Sequence, residues 1–120
     1  MLKFYGYAKC STCINAKKWL KSNKVEFEDI EITETPPSKK LLKSLLDSEE
    51  IELKNLFNIS GEYYRQMNLK EKLPNMSVSE QLDLLSSNGK LVKRPFITDG
   101  SKVTVGFKED VLTEKWVRRT

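Results

Sequence analysis

At 120 residues the chain has the size of one domain with its own core, and 38% hydrophobic residues against 32% charged ones exclude a disordered chain. Its 21 basic residues are interspersed with 17 acidic ones, leaving a formal net charge of +4 but no basic stripe, so direct nucleic-acid binding is not expected. No apolar run approaches a membrane span and the first nine residues are too polar for a signal peptide, which points to a cytoplasmic protein, expected as a monomer, with its thiols kept reduced.

The first element is a strand over 2–7, where Leu2, Phe4 and Gly6 alternate with Lys3, Tyr5 and Tyr7. From Ser11 the period changes. Cys13, Ala16, Trp19 and Leu20 recur at three- and four-residue spacing with Lys17, Lys18 and Lys21 opposite, which predicts an amphipathic helix stopping near Asn23. Residues Val25 to Ile32 read as a second strand whose apolar parity changes near the middle. Pro36-Pro37 ends it, and Ser38 caps a helix with an apolar face of Leu41, Leu42, Leu45 and Leu46.

Leu53, Leu56 and Phe57 predict a short helix, Ser60 to Met67 another, and Ser77 with Glu80 forms a capping box before Leu82, Leu84 and Leu85. Asn88-Gly89 closes that helix. Phe96 to Thr98 and Val103 to Gly106 then flank Asp99-Gly100 as a hairpin, and a last helix runs from about Lys108 to Trp116. The order βαβ, helices, ββα predicts an α/β thioredoxin-like mixed sheet in one domain over 1–120, with a helical lobe inserted over 38–88.

The chemistry centres on Cys10-Ser11-Thr12-Cys13. A thiolate, not a thiol, attacks sulfur, and a helix N-terminus favours the anion through free N–H groups and the helix dipole. Cys10 falls at such a terminus with Lys9 beside it, so it is the expected nucleophile. Cys13 lies one turn further in, on the side of Ala16 and Leu20, and would resolve the first product as the second thiol. C-x-x-C is also half of a zinc site, but the chain has only two cysteines and no histidine to complete four ligands, so no metal is expected. Two reduced cysteines packed as small hydrophobes are the other reading of the same residues.

Lys93-Arg94-Pro95 precedes the Phe96 strand. An ordinary loop entering an edge strand would account for it. In a thioredoxin-like fold, however, the X-Pro bond facing the active cysteine is cis, and Arg94-Pro95 is the candidate here. Arg94 would put a permanent cation beside Cys10, and Ser11, Thr12, Arg94 and the Pro95 backbone are the candidate substrate-binding groups. Tyr63 and Tyr64 with Arg65 read as packing more readily than as a partner patch, and Glu109 with Asp110 as stabilising charges at a helix start.

Taken with Pro36-Pro37-Ser38, Asn68-Leu69 and Val105-Gly106-Phe107 before Glu109-Asp110, the Tyr7 to Cys13 run and Arg94-Pro95 resemble, almost end to end, the glutaredoxin-type arsenate reductases together with the Spx-like redox regulators. The resemblance implies a thioredoxin-like fold, Cys10 as nucleophile, Arg94 and cis-Pro95 facing it, and glutathione or thioredoxin as external reductant with no bound cofactor. It also implies two classes of partner: a small thiol or a protein disulfide, or the RNA polymerase α subunit. Arsenate reductases of this type use two further arginines, at positions that hold Asn58 and Val105 here. One guanidinium in place of three would forgo charge-assisted contacts of about 1.5–3 kcal/mol each. Three functions follow: a thiol–disulfide redox protein, an Spx-like redox-sensing regulator, or an arsenate reductase.

Overall fold

Alternation in the first strand decides where everything else packs. In the computed structural model, which describes residues 2–117, β1 (Leu2–Gly6) turns Leu2 and Phe4 to one face of the sheet and Tyr5 to the other. It lies inside a four-stranded mixed sheet ordered β2-β1-β3-β4. β2 (Phe27–Glu31) runs parallel to it, with Leu2 opposite Phe27 and Gly6 opposite Glu31, and β3 (Phe96–Thr98) runs antiparallel on its other side. β4 (Val103–Val105) completes the hairpin with β3. The expected thioredoxin-like sheet is the one found.

Both faces are covered. Helix α1 (Ser11–Ser22) crosses from β1 to β2 and packs Cys13, Ala16 and Leu20 onto Leu2, Phe4, Ile97, Leu112 and Trp116. On the other face Tyr5, Phe96 and Val103 meet Leu42 and Leu45 of α2 (Lys39–Asp47) and Leu82 and Leu85 of α5 (Val78–Ser87). This explains the parity change read in the second strand. Val25 and Phe27 pack toward α1 while Ile30 and Ile32 pack toward α2 and α5, so a parallel strand covered on both sides carries apolar residues on each. The strand itself is shorter than 25–32.

Ser38 caps α2 by accepting the Leu41 N–H at 3.1 Å, and Ser77 with Glu80 forms the reciprocal capping box of α5, as expected from both motifs. Between α2 and α5 the pattern is finer than the periodicity suggests. Leu53–Leu56 is a 3₁₀ turn, and Phe57 leaves it to bridge Val92. α3 is confined to Glu62–Gln66, and a further helix α4 (Leu69–Lys72), not expected from the pattern, follows it. Asn68 at φ 53° turns the chain between them, a left-handed conformation that asparagine tolerates.

The hairpin differs from a two-residue Asp-Gly turn. Its connection spans 99–102, because the Asp99 carboxylate accepts the N–H groups of Ser101 and Lys102 at 2.8 and 2.7 Å and so builds a wider loop. The last helix also differs: α6 is Glu109–Leu112, continued by a π-helical turn over Thr113–Val117 that lets Trp116 donate to Thr104 Oγ1 at 3.0 Å.

Candidate active site

Chain geometry places Cys10 where a thiolate is stabilised. Cys10 is extended at φ −94°, ψ 115°, and α1 begins at the next residue, so Cys10 is its N-cap. Its Sγ accepts the Cys13 N–H at 3.4 Å, and its own N–H donates to the Tyr7 carbonyl at 3.0 Å. Burial alone would raise the Cys10 thiol above its ordinary value. Hydrogen bonds from the Cys13 thiol and N–H, the Arg94 charge and the Thr12 N–H outweigh burial and bring it below. The cation acting on Cys10 is thus Arg94; Lys9, expected to contribute, is exposed and outside the cleft.

Cys13 is held in the opposite condition. It is fully buried under α1, and that burial pushes its thiol up to about 12 against the Tyr7 N–H, with the hydrogen bond to Cys10 and the Cys10 charge adding to the rise. Both thiols are free in the structure. The pair is therefore asymmetric, one sulfur half-exposed and acidified, the other buried and protonated. Of the two, only Cys13 is packed as a small hydrophobe would be.

A cleft of about 350 Å³ opens over Cys10, lined by Thr12, Asn58, Ser60, Lys93, Arg94, Val105, Gly106, Phe107 and Lys108. Four separate chain segments converge there. α1 supplies Cys10 and Thr12; the turn before α3 supplies Asn58 and Ser60; the approach to β3 supplies Lys93 and Arg94; and β4 with the approach to α6 supplies the remainder. Trp19 fastens that last segment to α1, donating to Glu109 Oε1 at 3.0 Å and meeting the Phe107 ring edge-on at 6.3 Å.

The Arg94-Pro95 peptide bond is cis. Pro95 is buried and its carbonyl accepts the Gly106 N–H at 3.0 Å, while Ser11 is exposed at the start of α1; neither lines the cleft, whereas Thr12 and Arg94 do. Asn58 and Val105, singled out as the positions of two missing arginines, both reach the cleft. Sequence reasoning missed Lys93 and Lys108 as lining groups. The only signal for them was adjacency, Lys93 to Arg94 and Lys108 to the Val105-Gly106-Phe107 run. Among the described residues three cations line the cleft instead of one, and no carboxylate does. Among the described residues no group of three or more Cys, Asp and Glu could hold a metal ion, and no helix is long and apolar enough to cross a membrane.

This asymmetry has a measurable consequence. Iodoacetamide should label Cys10 at a rate that climbs with pH through a midpoint below the ordinary cysteine value and then levels off, because the reactive species is the thiolate and Cys10 loses its proton early. Cys13 should stay unlabelled over that range, its thiolate forming only near pH 12. Peptide mapping by mass spectrometry after timed alkylation distinguishes the two sites.

The fold agrees with that of known proteins. The model of the ArsC family matches residues 5–114. The uncharacterized protein YusI of Bacillus subtilis is 56% identical over 115 residues, covering 96% of this chain and 98% of YusI. The global transcriptional regulator Spx of Streptococcus pneumoniae (strain ATCC BAA-255 / R6) is 29% identical over 110 residues, covering 92% of this chain and 81% of the regulator. A crystal structure from Streptococcus mutans, described as a possible arsenate reductase, superposes with a TM-score of 0.85 at 41% identity, covering 92% of this chain and 97% of that one. Both sides of the resemblance read from the motifs, reductase-like and regulator-like, are thus represented, and the chain belongs to the ArsC family.

Proposed function

We propose that this protein is a thiol–disulfide oxidoreductase with Cys10 as nucleophile, Cys13 as resolving thiol and Arg94 as the cation beside them. The observation that carries the reading is the Cys10 sulfur at the N-cap of α1, opening onto a cleft with Arg94, Lys93 and Lys108 on its walls and, among the described residues, no acidic group. Cys10 S⁻ attacks one sulfur of a disulfide R–S–S–R′, forming Cys10–S–S–R and releasing R′–S⁻. Cys13 then gives up its proton and attacks Cys10 Sγ, expelling R–S⁻ and closing the Cys10–Cys13 disulfide. Protein thiols are oxidised by two electrons and the substrate leaves as two thiols. An external thiol of the glutathione or thioredoxin class reverses the protein's half of the exchange.

The cleft favours anionic disulfides, since its three cations would attract a carboxylate and none of its described wall residues is acidic. Arsenate is less well served. Lysines at 93 and 108 supply charge to the cleft, but as exposed point charges they lack the bidentate fork of arginine, and Asn58 and Val105 supply no charge at all. A regulatory reading is favoured by the match to Spx, which its name makes a transcriptional regulator. On that reading the same disulfide would alter affinity for a partner such as the RNA polymerase α subunit.

Turnover assays on oxidised glutathione, on cystamine and on arsenate, with a coupled external reductant, separate these readings. The oxidoreductase reading predicts faster reduction of the anionic disulfide than of the cationic one, by about ten-fold at low salt and less at high salt. Turnover of arsenate alone contradicts it. Absence of turnover with all three, together with polymerase α binding that depends on the redox state, would establish the regulator instead.

A further inference from the structure

Arg94 can act on Cys10 only if something holds it in place, and the usual anchors are missing. Its Nε is buried with no hydrogen-bond partner, and its Nη1 donates a long bond, 3.4 Å, to the Lys90 carbonyl. Among the described residues no carboxylate pairs with it. What remains is the ring of Tyr7, whose centroid lies 5.4 Å from Arg94 Cζ. The same ring is 5.4 Å from Lys90 Nζ, and Lys90 in turn lies 5.3 Å from the ring of Tyr63 in α3.

We propose that Tyr7 is a positioning residue, its ring holding the Arg94 guanidinium beside Cys10 without neutralising it. A carboxylate would anchor Arg94 more firmly, but its charge would cancel the field that Arg94 presents to the thiolate. An aromatic face attracts a cation through its quadrupole and carries no net charge, so the positive charge stays available. Tyr7 is well placed for this duty. It opens the turn that follows β1, its carbonyl accepts the Cys10 N–H at 3.0 Å, and its N–H reaches the Cys13 sulfur. Its ring is half-buried against Lys90 and Arg94, so one residue links the cation to the backbone around both thiols.

The groups facing Cys10 are few. Cys13 faces it from α1, Lys93 and Arg94 from the approach to β3, and Lys108 from the approach to α6. Lys93 and Lys108 are exposed and therefore screened by salt, which leaves Arg94, the half-buried cation, as the one whose placement matters most. The inference rests on the reading of Cys10 as nucleophile.

The test is the pH profile of Cys10 alkylation in the full-length protein, with the label located by mass spectrometry and folding checked by circular dichroism. Tyr7→Leu should raise the apparent pKa of Cys10 by about half a unit to one unit, a roughly three- to ten-fold loss of thiolate on the acid side of the midpoint. Tyr7→Phe, which keeps the ring and removes the hydroxyl, should restore the wild-type profile. In an Arg94→Gln background Tyr7→Leu should add nothing, since there is no longer a cation to position. A Tyr7→Leu profile that coincides with wild type overturns the proposal, as does a full additional shift in the Arg94→Gln background. If Tyr7→Leu does not fold, Tyr7→Met preserves bulk without a ring and carries the same expectation. A wild-type midpoint at the ordinary cysteine value would instead overturn the reading of Cys10 itself.

Discussion

Cys10→Ser is expected to abolish disulfide exchange, and Cys13→Ser to stop it halfway. Without Cys10 the one remaining thiol, Cys13, is fully buried, and burial, the largest cause of its raised value, persists, so it cannot replace the lost nucleophile. With Cys13→Ser the first attack still occurs, and the mixed disulfide on Cys10 waits for an external thiol. An intramolecular thiol has an effective concentration of roughly millimolar or more, so against about 10 µM external thiol the second step should slow on the order of a hundred-fold. Intact-protein mass spectrometry would show the adduct lasting on the order of a hundred-fold longer in Cys13→Ser than in wild type at the same pH.

The same asymmetry gives the second step a pH dependence. Forming the mixed disulfide removes the Cys10 negative charge and the thiol–thiolate hydrogen bond, both of which raise Cys13, but the largest cause of its rise, burial, remains. Resolution should therefore be the slower step at neutral pH and quicken as pH increases, because the attacking Cys13 thiolate becomes more populated. Accumulation of the adduct in wild type at low pH, and its disappearance at high pH, follow from that sign.

The largest stability effect is expected at Gly89. It is buried where the 3₁₀ turn Gly89–Leu91 crosses the end of β2, and a Cβ there would lie 1.9 Å from the carbonyl oxygen of Ile32 and 2.6 Å from its carbonyl carbon. Backbone meets backbone, so no side chain can swing aside. Gly89→Ala should cost about 3 kcal/mol or more, a fall in melting temperature of about 10 °C. The displacement would also carry Lys90 with it, and Lys90 supplies both the carbonyl that accepts from Arg94 and the ammonium shared by Tyr7 and Tyr63. Thermal denaturation, followed by Cys10 alkylation of the folded fraction, would register both effects.

Gly89 also shows where the sequence is legible and where it is not. As part of Asn88-Gly89 it reads correctly as the end of a helix, since Asn88 is the C-cap of α5. Nothing local reveals that Gly89 must also lie against Ile32, 57 positions earlier, because that contact exists only once β2 has been placed. Motifs with their own local physics were readable: the Ser38 cap, the Ser77–Glu80 box, and the strand-to-helix junction that puts Cys10 at an N-cap. Features set by long-range packing were not. Lys93 and Lys108 come together only through the β3–β4 hairpin, and α4 lacks the length for a helical period to emerge. Tyr63 illustrates a third case, read as packing yet lying over Lys90, a partner that no spacing within α3 could indicate.

Mild oxidation of the purified, reduced protein tests the central claim most directly. Reversible closure of Cys10 onto Cys13 predicts a product lighter by two hydrogen atoms, with neither thiol reactive and full recovery on adding a dithiol reductant. Oxidised protein that retains both thiols, or that couples only between chains, would contradict it.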